Sequence, residues 1–219
     1  MELLYNNQVD DFVVCVFLLI SFLSGSVPFG LLLVRLAGKG DVRSVGSGNI
    51  GGTNVARAGG KWLGVLTIVL DASKGFFPVY FARHFGFGDA LASFAALAAV
   101  LGHVFTPWLR FKGGKGVATA LGAALAFNSW MILPSLAVFI VTVVLTRFVS
   151  LGSILGAFVL PVFLLIGLKK HSANLPLVFA VWMALVLLVI VKHYANIKRL
   201  LNGTENPLWG NKRKDRADE

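Results

Sequence analysis

VATALGAALAFNSWMILPSLAVFIVTVVLT, residues 117–146, is too long for one upright membrane-spanning helix and therefore decides the fold. The run is apolar almost throughout, which predicts helix within a membrane. As one helix it would extend roughly 45 Å, whereas the hydrocarbon layer of a bilayer is roughly 30 Å thick. Asn128, Ser129 and Pro134 interrupt the run near its middle. We therefore expect two short helices joined near Asn128.

Further apolar runs of spanning or near-spanning length flank this segment, at about residues 12–36, 62–82, 89–107, 151–168 and 175–192. Of the 219 residues, 57% are hydrophobic and only 14% are charged. That composition leaves too little polar surface to cover a soluble globule. The sequence thus predicts an all-α integral membrane protein with about seven transmembrane helices.

The basic residues predict how these helices are oriented. The formal net charge is +10, and with seven spans most Lys and Arg residues fall on one side, near residues 35–61, 110–115, 147 and 192–216. Lys and Arg concentrate in cytoplasmic loops. We therefore expect the N-terminus outside and the C-terminus in the cytoplasm.

The domain organisation is simple, because no soluble domain or internal repeat interrupts the spans. Residues 1–199 are predicted to form one membrane domain, and residues 200–219 a short basic cytoplasmic tail. The acidic N-terminus lacks the basic region of a cleaved signal peptide, so the first span is expected to stay. The single cysteine, Cys15, excludes an internal disulfide and disfavours a thiol-dependent enzyme.

Three polar clusters fall on the predicted cytoplasmic side, and the first covers Val45–Arg57. Its glycines allow backbone N–H groups to approach a ligand closely. Arg57 adds a planar guanidinium suited to a phosphate. The alternative is a flexible connector, which does not need an arginine among so many donors. The short side-chain donors of this cluster are Ser47, Asn49, Thr53 and Asn54.

The second cluster, Lys112–Gly116, leads directly into the helix predicted from Val117. Free amides and the positive end of the helix dipole favour an anion there, and Lys112 and Lys115 add charge. Gly116 stands where a nucleotide-binding loop has its magnesium-binding Ser or Thr, so nucleotide hydrolysis is disfavoured. The alternative is a basic loop at the membrane edge. The candidate ligands are Lys112, Gly113, Gly114, Lys115, Gly116 and Thr119.

The third cluster, Lys192–Arg199, ends the last span. His193 and Asn196 are three residues apart, so on a helix they share one face. A membrane-interface anchor accounts for the basic residues and Tyr194 but less well for His193 and Asn196. Asn202–Glu205 after it is interpreted as a helix stop with Gly203 in the left-handed conformation.

Other polar residues lie at membrane depth. Asp71 and Lys74 are spaced for a mutual ion pair within the second span. His103 is interpreted as a packed helix residue rather than a ligand. The four histidines do not show the spacing of metal ligands, so no metal site is expected.

Taken together, these motifs closely resemble those of the bacterial acyl-phosphate:glycerol-3-phosphate acyltransferases of the PlsY type. The resemblance covers essentially the whole chain. Two positions depart from the family pattern: Ala195 replaces a glutamate in the third motif, and Thr106 precedes Pro107 in the second. The motifs that carry the resemblance are Gly46–Asn54 with Arg57, Gly102-His103 with Lys112–Thr119, and His193 with Asn196-Ile197.

The resemblance implies transfer of a fatty acyl group from acyl phosphate to the sn-1 hydroxyl of glycerol 3-phosphate. The product is lysophosphatidic acid, in the committed step of bacterial phospholipid synthesis. It implies a multi-pass enzyme of the bacterial inner membrane with a cytoplasmic active site, no cofactor, and as a partner the soluble enzyme that supplies acyl phosphate. Residue by residue, it implies that glycerol 3-phosphate is held by Ser47, Arg57, Lys115, His193 and Asn196. The amides around Gly113, Gly114 and Gly116 would receive the acyl phosphate head.

Two hypotheses concern mechanism and a competing function. No carboxylate on the inner face is an evident base, so a substrate phosphate is expected to accept the proton. A groove between spans would bury the acyl chain. The alternative function is a membrane transporter of an anion or lipid phosphate, which would place its site near the bilayer midplane.

Overall fold

The computed structural model describes residues 10–168 and 174–208; of the predicted basic tail, residues 209–219 lie outside this range. The described residues contain helices and no strand. Two single 3₁₀ turns, Val42–Ser44 and Pro107–Leu109, lie in the connections. The helices are α1 (Asp11–Ser26), α2 (Phe29–Leu36), α3 (Gly52–Gly59), α4 (Lys61–His84), α5 (Gly88–Val104), α6 (Val117–Phe127), α7 (Ser129–Thr146), α8 (Val149–Leu168), α9 (Leu175–Lys192) and α10 (Tyr194–Leu201).

By length and composition, four of these helices can cross a membrane: α4, α5, α8 and α9. The pair α1 and α2 makes a fifth if it is counted as one bent span. Helices α6 and α7 are apolar but shorter. The predicted all-helical membrane fold is therefore confirmed, with four to five spans, whereas seven spans and the orientation of the termini stay predictions.

The division of residues 117–146 into two helices is confirmed at the predicted position. Asn128 has an extended backbone, with φ −162° and ψ 107°, which ends α6. Its side chain then accepts a hydrogen bond from the Trp130 N–H at 3.1 Å and caps α7. Pro134 lies inside α7, so the asparagine and not the proline marks the break.

The length of the first apolar run, residues 12–36, suits one membrane-spanning helix. In the structure this run is not straight. It bends by 40° between α1 and α2, because Pro28 cannot continue the hydrogen-bond pattern. Side chains from other elements satisfy the carbonyls exposed at the bend. Thr106 Oγ1 donates to the Ser26 carbonyl at 2.6 Å, and Lys74 Nζ donates to the Val27 carbonyl at 2.8 Å.

The core lies where α4, α5, α6, α8 and α9 meet, around the buried Trp182. Small residues let the backbones approach closely, as is usual between membrane helices. A Cβ atom on Gly75 of α4 would collide with the Thr119 carbonyl of α6, and one on Gly122 of α6 would collide with the Ala72 carbonyl. This close packing fixes the start of α6 against the middle of α4.

The segment after α10 folds back onto the membrane domain. The Leu208 N–H donates to the Arg147 carbonyl at 2.7 Å, which ties this segment to the start of α8. Gly203 has φ 62°, so the helix stop predicted there has the expected left-handed residue. Residue 199, where the membrane domain is predicted to end, lies inside α10, and the division into domain and tail stays a prediction.

Candidate active site

A polar pocket of about 480 Å³ opens where the three sequence clusters meet. All five residues predicted to hold glycerol 3-phosphate line it, although they come from positions far apart in the chain. Of the other candidates, Asn49, Thr53, Asn54 and Gly116 also line it. The polar lining comprises Ser47, Asn49, Thr53, Asn54, Arg57, Lys61, Asp71, His103, Lys115, Ser150, Ser153, His193, Asn196, Arg199, Glu205 and Asn206.

Asn54 holds the loop of the first cluster in shape. Its amide nitrogen donates to the carbonyls of Val42, Val45 and Asn49 at 2.8–3.0 Å, and its Oδ1 accepts from the Ser47 N–H at 3.0 Å. Both N–H donors of the side-chain amide are therefore used within the loop, and the residue is 2% exposed. Asn54 thus positions Ser47 in the pocket wall, and the expectation that Asn54 also binds substrate stays a prediction.

Arg57 lies on α3, whose glycine-rich start packs directly on α4. A Cβ atom on Gly52 would collide with Ile68, so only glycine lets α3 approach this closely. The Arg57 guanidinium donates to the Pro207 carbonyl at 3.3 Å, on the exposed side of the pocket. Most of its five donors therefore remain available for an anion.

Lys115 lies at the centre of the pocket. Its Nζ donates to Asn196 Oδ1 at 2.6 Å, which joins the second cluster to the third. Burial is the main reason that the pKa of the Lys115 ammonium is lowered to about 8; Glu205 acts to raise this pKa, and Arg199 and Arg57 act to lower it. A phosphate dianion here would restore a counter-charge to this buried cation.

Apart from Lys115 and Gly116, the candidate residues of the second cluster do not line the pocket. The Gly113 and Gly114 N–H groups donate to the Val104 and His103 carbonyls at the end of α5, at 3.0 and 3.1 Å. Lys112 is exposed and outside the lining, and Thr119 is buried against Gly75 of α4. The amides of Gly113 and Gly114 therefore tie the loop to α5 and are not free to bind acyl phosphate.

His193 lies between α9 and α10 with its ring in the pocket. Its Nδ1 donates to the Val189 carbonyl at 2.7 Å, which leaves Nε2 as an acceptor. Burial, and after it the nearby charge of Lys115, lower the pKa of this imidazole to about 4. At neutral pH His193 is therefore uncharged.

Glu205, which the sequence suggested only as a brace for an arginine or histidine, is paired with Arg199 and lines the pocket. Its Oε1 accepts from Ser150 Oγ at 3.0 Å and from Asn196 Nδ2 at 2.7 Å, and its Oε2 accepts from Arg199 Nε at 2.7 Å. Burial raises the pKa of this carboxyl, but these three hydrogen bonds outweigh it and the net pKa is lowered. The sequence signal for this position was Gly203. A glycine that reverses the chain after α10 brings Glu205 back beside Asn196 and Arg199 of that helix.

Asp71 and His103 also line the pocket, which the sequence did not predict. The predicted ion pair is confirmed, since Lys74 Nζ lies 2.8 Å from Asp71 Oδ1. His103 Nδ1 lies 3.7 Å from the same oxygen. Within the described residues, no group of three or more His, Cys, Asp or Glu side chains is arranged to hold a metal ion.

An apolar cavity of about 120 Å³ adjoins the polar pocket between α6, α7, α8 and α9. The two spaces share the side chains of Val117, Leu121, Phe139 and Ser153. An engineered apolar cavity of roughly 150 Å³ stays dry and binds benzene, so a space of this kind suits hydrocarbon. The arrangement as a whole can hold an anionic head among cations and an apolar chain beside it.

Comparison with known proteins gives one consistent family. A family model described as glycerol-3-phosphate acyltransferase matches residues 15–203. A protein of that name from Geobacter sulfurreducens is 46% identical over 187 residues, which is 85% of this chain and 93% of that protein. Another from Trichlorobacter lovleyi is 49% identical over 186 residues, covering 85% of this chain and 93% of that protein.

Two solved structures share the fold. Both are crystal structures of PlsY, described as an integral membrane glycerol 3-phosphate acyltransferase. Its glycerol 3-phosphate form has a TM-score of 0.83 and 39% identity, and covers 90% of this chain and 96% of that one. Its lysophosphatidic acid form has a TM-score of 0.79 and 38% identity, and covers 89% and 95%.

Proposed function

Because the chain belongs to the glycerol-3-phosphate acyltransferase family, we propose that its acyl donor is acyl phosphate and its acceptor atom the sn-1 hydroxyl oxygen of glycerol 3-phosphate. The products are lysophosphatidic acid and phosphate. The observation that carries the proposal is the gathering of Ser47, Arg57, Lys115, His193 and Asn196 in one pocket beside an apolar cavity. The family assignment favours this activity over the transporter alternative.

The cations of the pocket account for binding of the phosphate groups. Arg57, Lys61, Lys115 and Arg199 face the same space, whereas Glu205 is paired with Arg199. Charge-assisted hydrogen bonds from such groups are stronger than neutral ones, and most so where water is excluded. Ser47, with its N–H held by Asn54, adds a hydroxyl to the same wall. We assign these residues to substrate binding and orientation.

Acyl phosphate is an activated mixed anhydride, so the chemical demand on the protein is modest. The glycerol hydroxyl oxygen attacks the acyl carbon, the bond from that carbon to the phosphate oxygen breaks, and inorganic phosphate leaves with the electron pair. Alignment of the hydroxyl with the carbonyl and stabilisation of the oxyanion are the main contributions expected from the site. Lys115 is the cation we assign to that charge.

The proton of the attacking hydroxyl goes to a substrate phosphate in this mechanism. His193 is a weak base with its pKa near 4. Glu205 is occupied by three donors and its pKa is lowered. Asp41 is ion-paired with Arg35 and Arg43 outside the pocket. A phosphate with a second pKa of about 6 is a better proton acceptor than the His193 imidazole or either of these two carboxylates.

We further propose that the pocket opens to the cytoplasm of a bacterium and that seven spans cross its inner membrane, α1 with α2 as one span and α4 to α9 as the other six. The basic residues around the pocket support this orientation, because Lys and Arg concentrate on the cytoplasmic side. The water-soluble substrate enters from that side, and the soluble enzyme that supplies acyl phosphate is the expected partner.

A donor comparison tests the proposed function. The detergent-solubilised protein is given labelled glycerol 3-phosphate with acyl phosphate, acyl-CoA or acyl-carrier protein in parallel. We expect lysophosphatidic acid from acyl phosphate at a rate at least tenfold above the other two donors, because the pocket has cations for a phosphate leaving group. Equal or faster reaction with acyl-CoA would contradict the donor proposal and leave the acyltransferase activity in place.

The apolar cavity is proposed to hold part of the acyl chain. Ala157 lies on its wall in α8, four residues beyond the shared Ser153. Ala157→Leu adds three carbons to the cavity and should exclude about three methylene groups of a long chain, at about 0.8 kcal/mol each. We expect kcat/KM for hexadecanoyl phosphate to fall about 50-fold relative to decanoyl phosphate. Product formation from each donor measures this ratio.

The matched control for this substitution is Ala180→Leu, on the exposed face of α9. It adds the same side chain outside the cavity and should leave the ratio of the two donors unchanged. If Ala157→Leu lowered both donors equally, the cavity would not be the acyl-chain site.

A further inference from the structure

Two side chains of the pocket, Asp71 and His103, have no part in phosphate binding or proton transfer as described above. Both are 4% exposed, yet both line the pocket. Their facing atoms, Asp71 Oδ1 and His103 Nδ1, lie 3.7 Å apart, and His103 Nδ1 has no hydrogen-bond partner. Buried polar atoms are nearly always paired, so an unpaired imidazole nitrogen at a ligand pocket points to a partner in the bound state.

Neighbouring elements hold this pair in place. Lys74 Nζ binds both Asp71 and the Val27 carbonyl at the bend between α1 and α2, each at 2.8 Å. On the other side the His103 ring packs against Gly114, where a Cβ atom would collide with the imidazole. The two side chains are therefore fixed before a ligand arrives, which is the condition for selective recognition.

The chemistry of the pair selects the kind of group that it binds. Lys74 neutralises the Asp71 carboxylate, so this part of the pocket offers no net positive charge to either phosphate of the reaction. A carboxylate oxygen and an imidazole nitrogen do suit hydroxyl groups, which donate and accept hydrogen bonds without charge. Glycerol 3-phosphate carries two hydroxyls, and only one of them is acylated.

We propose that Asp71 and His103 bind the hydroxyl end of glycerol 3-phosphate and select acceptors that carry the second hydroxyl. This inference rests on the proposed function, because it assigns one end of the same substrate. The cations of the pocket bind the phosphate end, and the Asp71–His103 pair binds the polyol end. Sites built to hydrogen-bond a substrate hydroxyl reject analogues that lack it far more strongly than apolar pockets discriminate by size.

The test compares two acceptors with one donor. The full-length protein in detergent receives acyl phosphate with either sn-glycerol 3-phosphate or 3-hydroxypropyl phosphate, which lacks the second hydroxyl. We expect the wild type to prefer glycerol 3-phosphate by about 100-fold in kcat/KM. His103→Phe keeps a ring and removes both nitrogens, and it should lower kcat/KM for glycerol 3-phosphate about 30-fold while changing the analogue less than threefold.

Two further variants complete the experiment. His84→Phe makes the same replacement at an exposed position far along α4 and should change neither acceptor. His103→Gln keeps an amide of similar reach and should recover part of the preference. The wild-type ratio needs no variant, so equal use of the two acceptors overturns the proposal even if both His103 variants fail to fold.

The outcomes separate the inference from the function on which it rests. Equal use of both acceptors by the wild type, or equal losses on both acceptors in His103→Phe, would assign Asp71 and His103 a purely structural role. No product from glycerol 3-phosphate and acyl phosphate would instead overturn the proposed donor. In that case the same acceptor ratio is measured with whichever donor is active.

Discussion

Replacing Lys115 with methionine is expected to lower kcat/KM for glycerol 3-phosphate by about 1000-fold, a loss of roughly 4 kcal/mol in transition-state stabilisation. Lys115 is the partly buried cation of the pocket, and its Nζ donates to the site residue Asn196 at 2.6 Å. Methionine keeps the length and apolar stem but removes the charge and the donors. Product formation at several acceptor concentrations measures the loss.

Lys112→Met is the matched control, because Lys112 belongs to the same loop but is exposed and outside the pocket. It should retain activity within about threefold, as expected for a solvated surface charge. If both variants lost activity equally, the loop would contribute only a diffuse positive field, and the specific role of Lys115 would be wrong.

The pH dependence checks the same assignment. The ammonium of Lys115, with its pKa near 8, is charged below that pH and neutral above it. Because kcat/KM reports the free enzyme, it should fall as pH rises through about 8. Lys115→Arg keeps the charge at all accessible pH values and should remove this alkaline decline, whatever its effect on the rate at neutral pH.

Local patterns predicted the parts of this protein that depend on local physics. Asn128 breaks the long apolar run because an asparagine can cap the helix that follows it. Asp71 and Lys74 pair because residues three apart share a helix face. The motifs, through the family that they resemble, also predicted which side chains share the pocket.

Hydrogen bonds and contacts that depend on how loops and helices fold against each other could not be predicted from local patterns. Glycines before a helix predict free amides, but Gly113 and Gly114 donate instead to carbonyls at the end of α5. The Asn54 side chain has the donors and acceptor expected of a substrate ligand, yet its amide nitrogen donates to three nearby backbone carbonyls. His103 enters the pocket because α5 packs beside α4, which no spacing along the chain encodes.

Glu205→Gln is expected to lower both stability and activity, because Glu205 joins α8 and α10 at the site. Three donors converge on its carboxylate, from Ser150 of α8 and from Asn196 and Arg199 of α10. A glutamine would turn an N–H group toward one of these donors and leave Arg199 without its counter-charge. Arg199 is one-third exposed, so the free energy of unfolding should fall by about 2 kcal/mol rather than by the larger loss of a fully buried pair.

The activity loss in Glu205→Gln should be about 100-fold and should follow from misplacement of Asn196 and, through it, Lys115. Thermal unfolding in detergent and product formation measure the two effects on the same preparation. Asp41→Asn is the matched control, since Asp41 also pairs with two arginines but lies on the exposed surface outside the pocket. It should change little. Loss of activity in Glu205→Gln at an unchanged melting temperature would contradict the positioning role. Glu205 would then be needed for the chemistry and not for the structure, as the proton acceptor itself.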